Sequence, residues 1–339
     1  VIKDLIIIIN RYVMKKIKEN ILITGCAGFI GFHLCKSLSN KNYNLYGIDN
    51  LNKYYDVNLK KDRLKSIKKV NKKFFFTKID ISNFSSLEKL FKKYKFNIVI
   101  NLAAQAGVRY SIKNPGPYYD SNIKGFYNIL YLSNLYKVSH LLFASTSSVY
   151  GDTKTFPTNE FQSTDRPLSF YAASKKCNEI MAYSFSNIYN LPVTGMRFFT
   201  VYGPMGRPDM SLFKFTKLIS ENKKIDLYNK GNHIRDFTYI DDVVNSIILL
   251  IKNKSRKKIP YQILNICSSN PVKLKQFIKE IENNLCISSK VNKLPKQLGD
   301  VHKTFGDNGL LIKTTNYLPK TNIQLGIKKF IKWYRDYFK

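Results

Sequence analysis

The feature that most constrains this chain is a glycine-punctuated turn, Thr24-Gly25-Cys26-Ala27-Gly28-Phe29-Ile30-Gly31. It follows a short β-branched run, Ile21–Thr24, and opens an amphipathic segment, Phe32–Leu38. Glycines spaced GxxGxxG let the backbone bend sharply and approach a pyrophosphate with no Cβ in the way. They also let a helix pack closely on a strand, with its N-terminal amides facing an anion. An ordinary strand-to-helix turn uses the same residues, so the pattern alone leaves both readings open. Asp49 narrows them: it ends the run Leu45–Asp49, about 20 residues past the turn, where a carboxylate accepts both ribose hydroxyls of an adenosine and repels a 2′-phosphate. The expected dinucleotide is therefore NAD rather than NADP. Asp80-Ile81, after the run Phe74–Ile79, either contacts the adenine or caps the next helix.

Short β-branched or aromatic runs recur at Ile21–Thr24, Leu45–Ile48, Phe74–Ile79, Ile98–Ala103, Leu141–Ser145 and Val193–Phe199, separated by helix-length amphipathic stretches. That alternation predicts an α/β fold, a Rossmann-type doubly wound parallel sheet with helices on both faces. After Gly203 the pattern loosens. A Pro/Gly-bearing loop at Gly203–Pro208, a helix near Leu212–Asn222 and a short strand at Ile225–Tyr228 begin a smaller mixed α/β C-terminal domain. Asp241–Ile251 as helix and Tyr261–Cys267 as strand read as a return to the first domain, and the tail reads as helix, extended loop, helix. The division is 14–200 with 233–268 for the dinucleotide-binding domain, and 201–232 with 269–339 for the substrate domain. Residues 1–13 read as a dispensable extension, with the working chain starting at Met14.

Composition decides what else the chain does. Lys+Arg outnumber Asp+Glu by 56 to 23, a net +33, which raises nucleic acid as a partner. The lysines are scattered singly and in pairs rather than gathered into a stripe, so the reading is a solvated lysine-rich surface and no nucleic-acid partner. Five widely spaced Cys without a CxxC read as reduced thiols, and with no export signal the expected location is cytoplasmic. No segment approaches the ~18 apolar residues of a membrane span, so no membrane partner is expected. Four His far apart offer no ligand spacing, so no metal site is expected.

The chemistry-bearing pattern is Tyr171-Ala-Ala-Ser-Lys175, at the start of a helical stretch running to about Ile188. The i, i+4 spacing places phenol and ammonium on one face. A neighbouring cation favours the phenolate, so Tyr171 becomes a candidate base although free tyrosine titrates at about 10. Phe143-Ala-Ser-Thr146-Ser147-Ser148 runs a strand into a hydroxyl cluster, and at the carboxyl end of a parallel strand such hydroxyls point into the ligand crevice.

With these residues in place the chain resembles the extended short-chain dehydrogenases/reductases that modify nucleotide sugars, and among them the UDP-glucuronate 4-epimerases. The resemblance runs from about Ile21 to the C-terminus. It rests on TGCAGFIG (24–31), NLAAQAGVRYS (101–111), ASTSSVYG (144–151), YAASK (171–175), RFFTVYGPMGRPDM (197–210), RDFTYIDD (235–242) and QLGDV (297–301). It implies Thr146, Tyr171 and Lys175 as the catalytic set. For the cofactor it implies Gly25, Gly28, Phe29, Ile30, Gly31, Asp49, Asn50, Asp80, Ile81, Ala103, Ala104 and Gln105, with Tyr171 and Lys175. For the substrate it implies Arg109, Ser147, Ser148 and Thr200, with Arg207 for a sugar carboxylate, Arg235 for the UDP pyrophosphate and Asp300 on the nucleotide side. Asn101 stands where relatives usually carry His.

The implied activity is NAD-dependent C4 epimerisation of a UDP-sugar, UDP-glucuronate to UDP-galacturonate, through a 4-keto intermediate, by a homodimer. Three relatives compete. The 4,6-dehydratases carry Asp-Glu and the UDP-glucuronate decarboxylases usually carry Glu where this chain has Ser147-Ser148. A UDP-glucose 4-epimerase needs no cation near C6, whereas Arg207 stands there unless it only stabilises its loop.

Overall fold

The structure, a computed structural model, describes residues 18–297 and 299–339; the expectations about 1–13 and Met14 lie outside them. In chain order the first half is β1 (Glu19–Thr24), α1 (Phe29–Leu38), β2 (Tyr43–Asp49), α2 (Val57–Val70), β3 (Phe75–Lys78), α3 (Phe84–Tyr94), β4 (Ile98–Asn101) and α4 (Val108–Lys113). A π-helical turn, Tyr119–Lys124, leads into α5 (Gly125–Leu135), β5 (His140–Thr146), α6 (Phe170–Tyr189) and β6 (Val193–Phe198).

These strands and β10 below form one seven-stranded sheet in the order β10-β6-β5-β4-β1-β2-β3, every neighbouring pair parallel. Strands buried on both faces read as continuous apolar runs. In β1, Ile21 and Ile23 pack with Phe32, Leu34 and Leu38 of α1 on one face, while Leu22 packs with Val99, Phe126 and Ile129 on the other. The order reverses between β1 and β4, the switch point where a crevice opens at the strands' carboxyl ends. Both β1 and β4 point their last residues there, and the Asn101 side chain accepts the Thr24 hydroxyl at 2.6 Å. The unusual Asn is thus a strand-end partner.

The second half is β7 (Thr200–Tyr202), α7 (Ser211–Ser220), β8 (Lys224–Leu227), β9 (Ile234–Tyr239), α8 (Ile240–Lys252), β10 (Tyr261–Ile266), β11 (Pro271–Lys273), α9 (Leu274–Leu285), β12 (Lys290–Lys293), α10 (Gly309–Thr315) and α11 (Ile323–Tyr337). β10 joins the large sheet and α8 packs on α1. β9 instead pairs with β7 and β11 in a small three-stranded sheet, and β8 pairs with β12. The chain therefore crosses between the two bodies at Thr200, at Ile240 and again between β10 and β11, which puts a cleft along the junction. No described helix is long and apolar enough to cross a membrane, and no described cluster of His, Cys, Asp and Glu has the arrangement of a metal site.

Candidate active site

A cleft of about 800 Å³ runs along the carboxyl edge of the large sheet and continues between the two bodies. Every residue singled out above for cofactor, catalysis or substrate lines it.

At one end the turn after β1 leaves no room for side chains. Gly25 sits at φ +69°, and a Cβ there would lie 2.8 Å from the Ala103 amide nitrogen; a Cβ on Gly31 would collide with the Gly25 carbonyl. α1 starts at Gly28 with no side-chain cap, so its N-terminal amides are left for an anion. Asp49, 9% exposed, accepts the Ala27 amide at 3.2 Å and the Leu51 amide at 2.8 Å, and burial raises its pKa. Asp80 does not cap the following helix. Asn83 does, while Asp80 takes the Ser82 amide and hydroxyl at 2.9 and 2.7 Å and the Asn50 amide at 2.7 Å. A glycine cradle, free helix amides and a carboxylate at the end of β2 fit a dinucleotide with an unphosphorylated adenosine ribose.

In the middle, β5 ends in Thr146, whose hydroxyl accepts the Ser148 amide and lies 3.2 Å from the Ser148 hydroxyl. α6 begins at Ser169, which caps the Ala172 amide at 3.2 Å and so fixes the first turn that carries Tyr171. Burial raises the Tyr171 pKa, and the Thr146 hydroxyl and the Arg207 charge pull it back. Here the geometry adds a partner that the spacing did not foretell. The Lys175 ammonium, 2% exposed, donates to the Ala144 carbonyl at 2.8 Å and reaches Asn178 Oδ1 at 3.5 Å. The i, i+4 spacing does put both residues on one face, but the strand-end carbonyl decides where the long side chain ends. Burial pushes Lys175 down to about 7, opposed by Glu179 one turn on.

At the far end Arg207 is already engaged. Its Nε and Nη2 donate to Asp209 at 3.0 and 2.6 Å, and Tyr54 donates to the same carboxylate at 3.2 Å. Arg235 donates to the Ile234, Val301 and His302 carbonyls at 2.8–3.0 Å, and burial pushes it down to about 10. Arg109 and Asp300 pair with each other at 2.9 Å across the cleft, with Arg109 over the Tyr228 ring. Sequence reasoning missed Asp209, although it lies inside the quoted GRPDM, and Tyr54 and Glu179, for which no motif spoke.

The fold and the cleft define a dinucleotide-dependent enzyme of the short-chain dehydrogenase/reductase type. More narrowly, the chain belongs to the NAD dependent epimerase/dehydratase family, which matches residues 21–267. It is 48% identical to Protein CapI of Staphylococcus aureus over 94% of this chain and 99% of that one. It is 41% identical to a UDP-glucuronate 4-epimerase of Thermodesulfobacterium geofontis, over 93% and 96%. It superposes with a TM-score of 0.87, at 30% identity and over 94% and 99% of the chains, on the crystal structure of UDP-glucuronic acid 4-epimerase from Bacillus cereus in complex with UDP-glucuronic acid and NAD.

Proposed function

We propose that this chain interconverts UDP-glucuronate and UDP-galacturonate. The observation that carries the reading is one cleft holding Thr146 and Tyr171 together at its centre, an anion-ready dinucleotide turn at one end, and two arginines, Arg207 and Arg235, towards the other. When bound, NAD supplies a reversible hydride acceptor for sugar C4 and a positive charge beside the phenol. Tyr171 takes the C4 hydroxyl proton while Thr146 donates a hydrogen bond to the same oxygen and steadies it as it becomes a carbonyl. Lys175, positioned by its bond to the Ala144 carbonyl, would hold the nicotinamide ribose. The 4-keto sugar turns over, Tyr171 returns the proton, and C4 is inverted with no net redox change. Arg235 keeps the pyrophosphate fixed during the turn. Ser147 and Ser148 supply no carboxyl group, so water is not eliminated from the hexose.

One observation favours a second reading. Arg207 is already neutralised by the fork of bonds to Asp209, which a neutral sugar would leave undisturbed. That reading is UDP-glucose 4-epimerisation. Incubation with UDP-glucuronate, UDP-glucose and UDP-xylose, with products identified by NMR, decides. UDP-galacturonate as the main product is expected, and UDP-galactose formed faster would reverse the order of the two readings.

The proposed assembly is a homodimer through α5 and α6. The proposed location is cytoplasmic, supported by five cysteines that are all free thiols, three of them buried.

A further inference from the structure

Arg63, on α2, is 0% exposed, yet no carboxylate among the described residues bonds to it. Its Nη1 donates to the Ala27 carbonyl at 2.9 Å and to the Tyr55 hydroxyl at 2.7 Å. Its Nη2 donates to the Met205 and Gly206 carbonyls at 2.7 and 3.1 Å, and Nε has no partner. Burying a guanidinium among neutral acceptors is costly and needs a reason beyond filling space, since an apolar side chain fills space at lower cost. The two ends of its fork supply one. Ala27 lies within the dinucleotide turn, and its amide donates to Asp49, so that residue is held on both sides. Met205 and Gly206 immediately precede Arg207.

A second tie runs the same way. His33, on α1, bonds the Pro204 carbonyl through Nε2 at 2.8 Å. Burial pushes this imidazole down to about 4, so it is neutral and Nε2–H is the donor. Three consecutive carbonyls, 204 to 206, are thus gripped by side chains from the dinucleotide-binding half. The loop turns them inward with Met205 at φ +55°, a conformation a non-glycine residue holds only when its surroundings impose it.

We propose that Arg63, seconded by His33, is a positioning residue that sets Arg207 against the dinucleotide turn, so that binding of NAD and recognition of the sugar carboxylate are coupled. The planar guanidinium cannot follow one end without moving the other, and coupling between two sites acts equally in both directions. This rests on the reading of Arg207 as the carboxylate partner.

The test is calorimetric binding of UDP-glucuronate and UDP-glucose to NAD-loaded wild type, Arg63→Lys, His33→Phe and Arg207→Ala. Lysine keeps the charge but reaches only one of the two carbonyl groups. Arg63→Lys is expected to weaken UDP-glucuronate about tenfold and UDP-glucose about twofold or less, within the usual range of coupling between sites. It is also expected to raise KM more than it lowers kcat. His33→Phe, which keeps an aromatic ring, shifts the same ratio less and serves if Arg63→Lys does not fold. Equal weakening of both ligands by Arg63→Lys, with Arg207→Ala selective, overturns the proposal. If Arg207→Ala itself weakens both equally, the carboxylate reading fails instead. NAD titrations with and without saturating UDP then decide: loss of their cooperativity in Arg63→Lys sustains the tie, and its survival overturns it.

Discussion

Tyr171 stands above its ordinary pKa because burial outweighs the help from Thr146 and Arg207. Its activity therefore depends on what else enters the cleft. Tyr171→Phe keeps the ring and removes the titrating oxygen, so turnover is expected to fall by at least about 10²-fold with UDP binding retained. Stopped assays of epimerised product beside a UDP titration check this, and turnover within a few-fold of wild type would remove Tyr171 from the mechanism. On the proposed reading the choice of sugar turns on Arg207. A bidentate Arg–carboxylate pair is worth roughly 1.5–3 kcal/mol, so Arg207→Ala is expected to slow UDP-glucuronate epimerisation about tenfold or more. UDP-glucose should change little. The residual flux should leak to a decarboxylated 4-keto pentose, because the oxidised substrate is a β-keto acid whose carboxylate is no longer held out of line with the carbonyl π system. Proportional loss on both sugars would make Arg207 a scaffold residue. At this scale the sequence was informative wherever chemistry demands a residue type at a fixed spacing, as in the glycine turn and Tyr171/Lys175. Arg63 and the destination of Lys175 were illegible because each depends on carbonyls brought in from elsewhere in the chain. Asp209 lies close in sequence to its partner Arg207, and what could not be read was the loop geometry that folds the two side chains together beside Tyr54.

The element that organises the site is α6. Its cap at Ser169 sets the start, and Tyr171, Lys175 and Glu179 follow at four-residue intervals along one face. Glu179 accepts Arg197 of β6 through both carboxylate oxygens at 2.8 and 2.9 Å and the Ser145 hydroxyl of β5 at 2.6 Å, so it bolts the helix to two strands. Both partners of the ion pair are only 4% exposed. Removing one charge from such a pair strands the other, so Glu179→Gln is expected to cost about 3–5 kcal/mol, or somewhat less because the amide oxygen still accepts. Glu179 also holds the Lys175 pKa up against burial. Its loss lowers the pKa further below about 7, and the alkaline limb of kcat set by the ammonium should move to lower pH. Chemical denaturation and a pH–rate profile read the two effects separately; an unmoved limb would show that Lys175 acts without its charge. The central strands β1, β4, β5 and β6 were visible as apolar runs because both of their faces are buried. The small sheet was harder. β7 and β11 have three residues each, too short for a period to show, and β9, which carries Arg235 itself, pairs only with these two short strands.

At the scale of the molecule the question is whether a chain of net charge +33 offers a face on which a second copy of itself could dock. Most of its surface repels, since like charges raise the energy of association. α5 is the exception: Gly125–Leu135 contains no charged residue. α6 packs beside it, and two of its three charged side chains, Lys175 and Glu179, are buried. On these two helices Tyr127, Tyr131, Leu135, Ile180, Tyr183, Ile188 and Tyr189 are exposed, Ile188 by 64% and Ile180 by 58%. Neighbouring exposed apolar side chains mark an association surface, and on a lysine-rich protein the uncharged face is where two copies approach at least electrostatic cost. The expected assembly is a twofold pair with α5 and α6 of each protomer against those of the other, a self-complementary patch. Ile180→Glu with Tyr127→Glu places carboxylates at the centre of that face. The double variant should run as a monomer by light scattering where the parent runs as a dimer. The cleft lies away from the outer faces of α5 and α6 that carry these side chains, so the double variant is expected to keep UDP and NAD binding, while α6 would lose its outer packing and the thermal midpoint should fall. A parent that is itself monomeric at micromolar concentration, or a double variant that keeps the dimer mass, would mean that these helices cover themselves by some other contact.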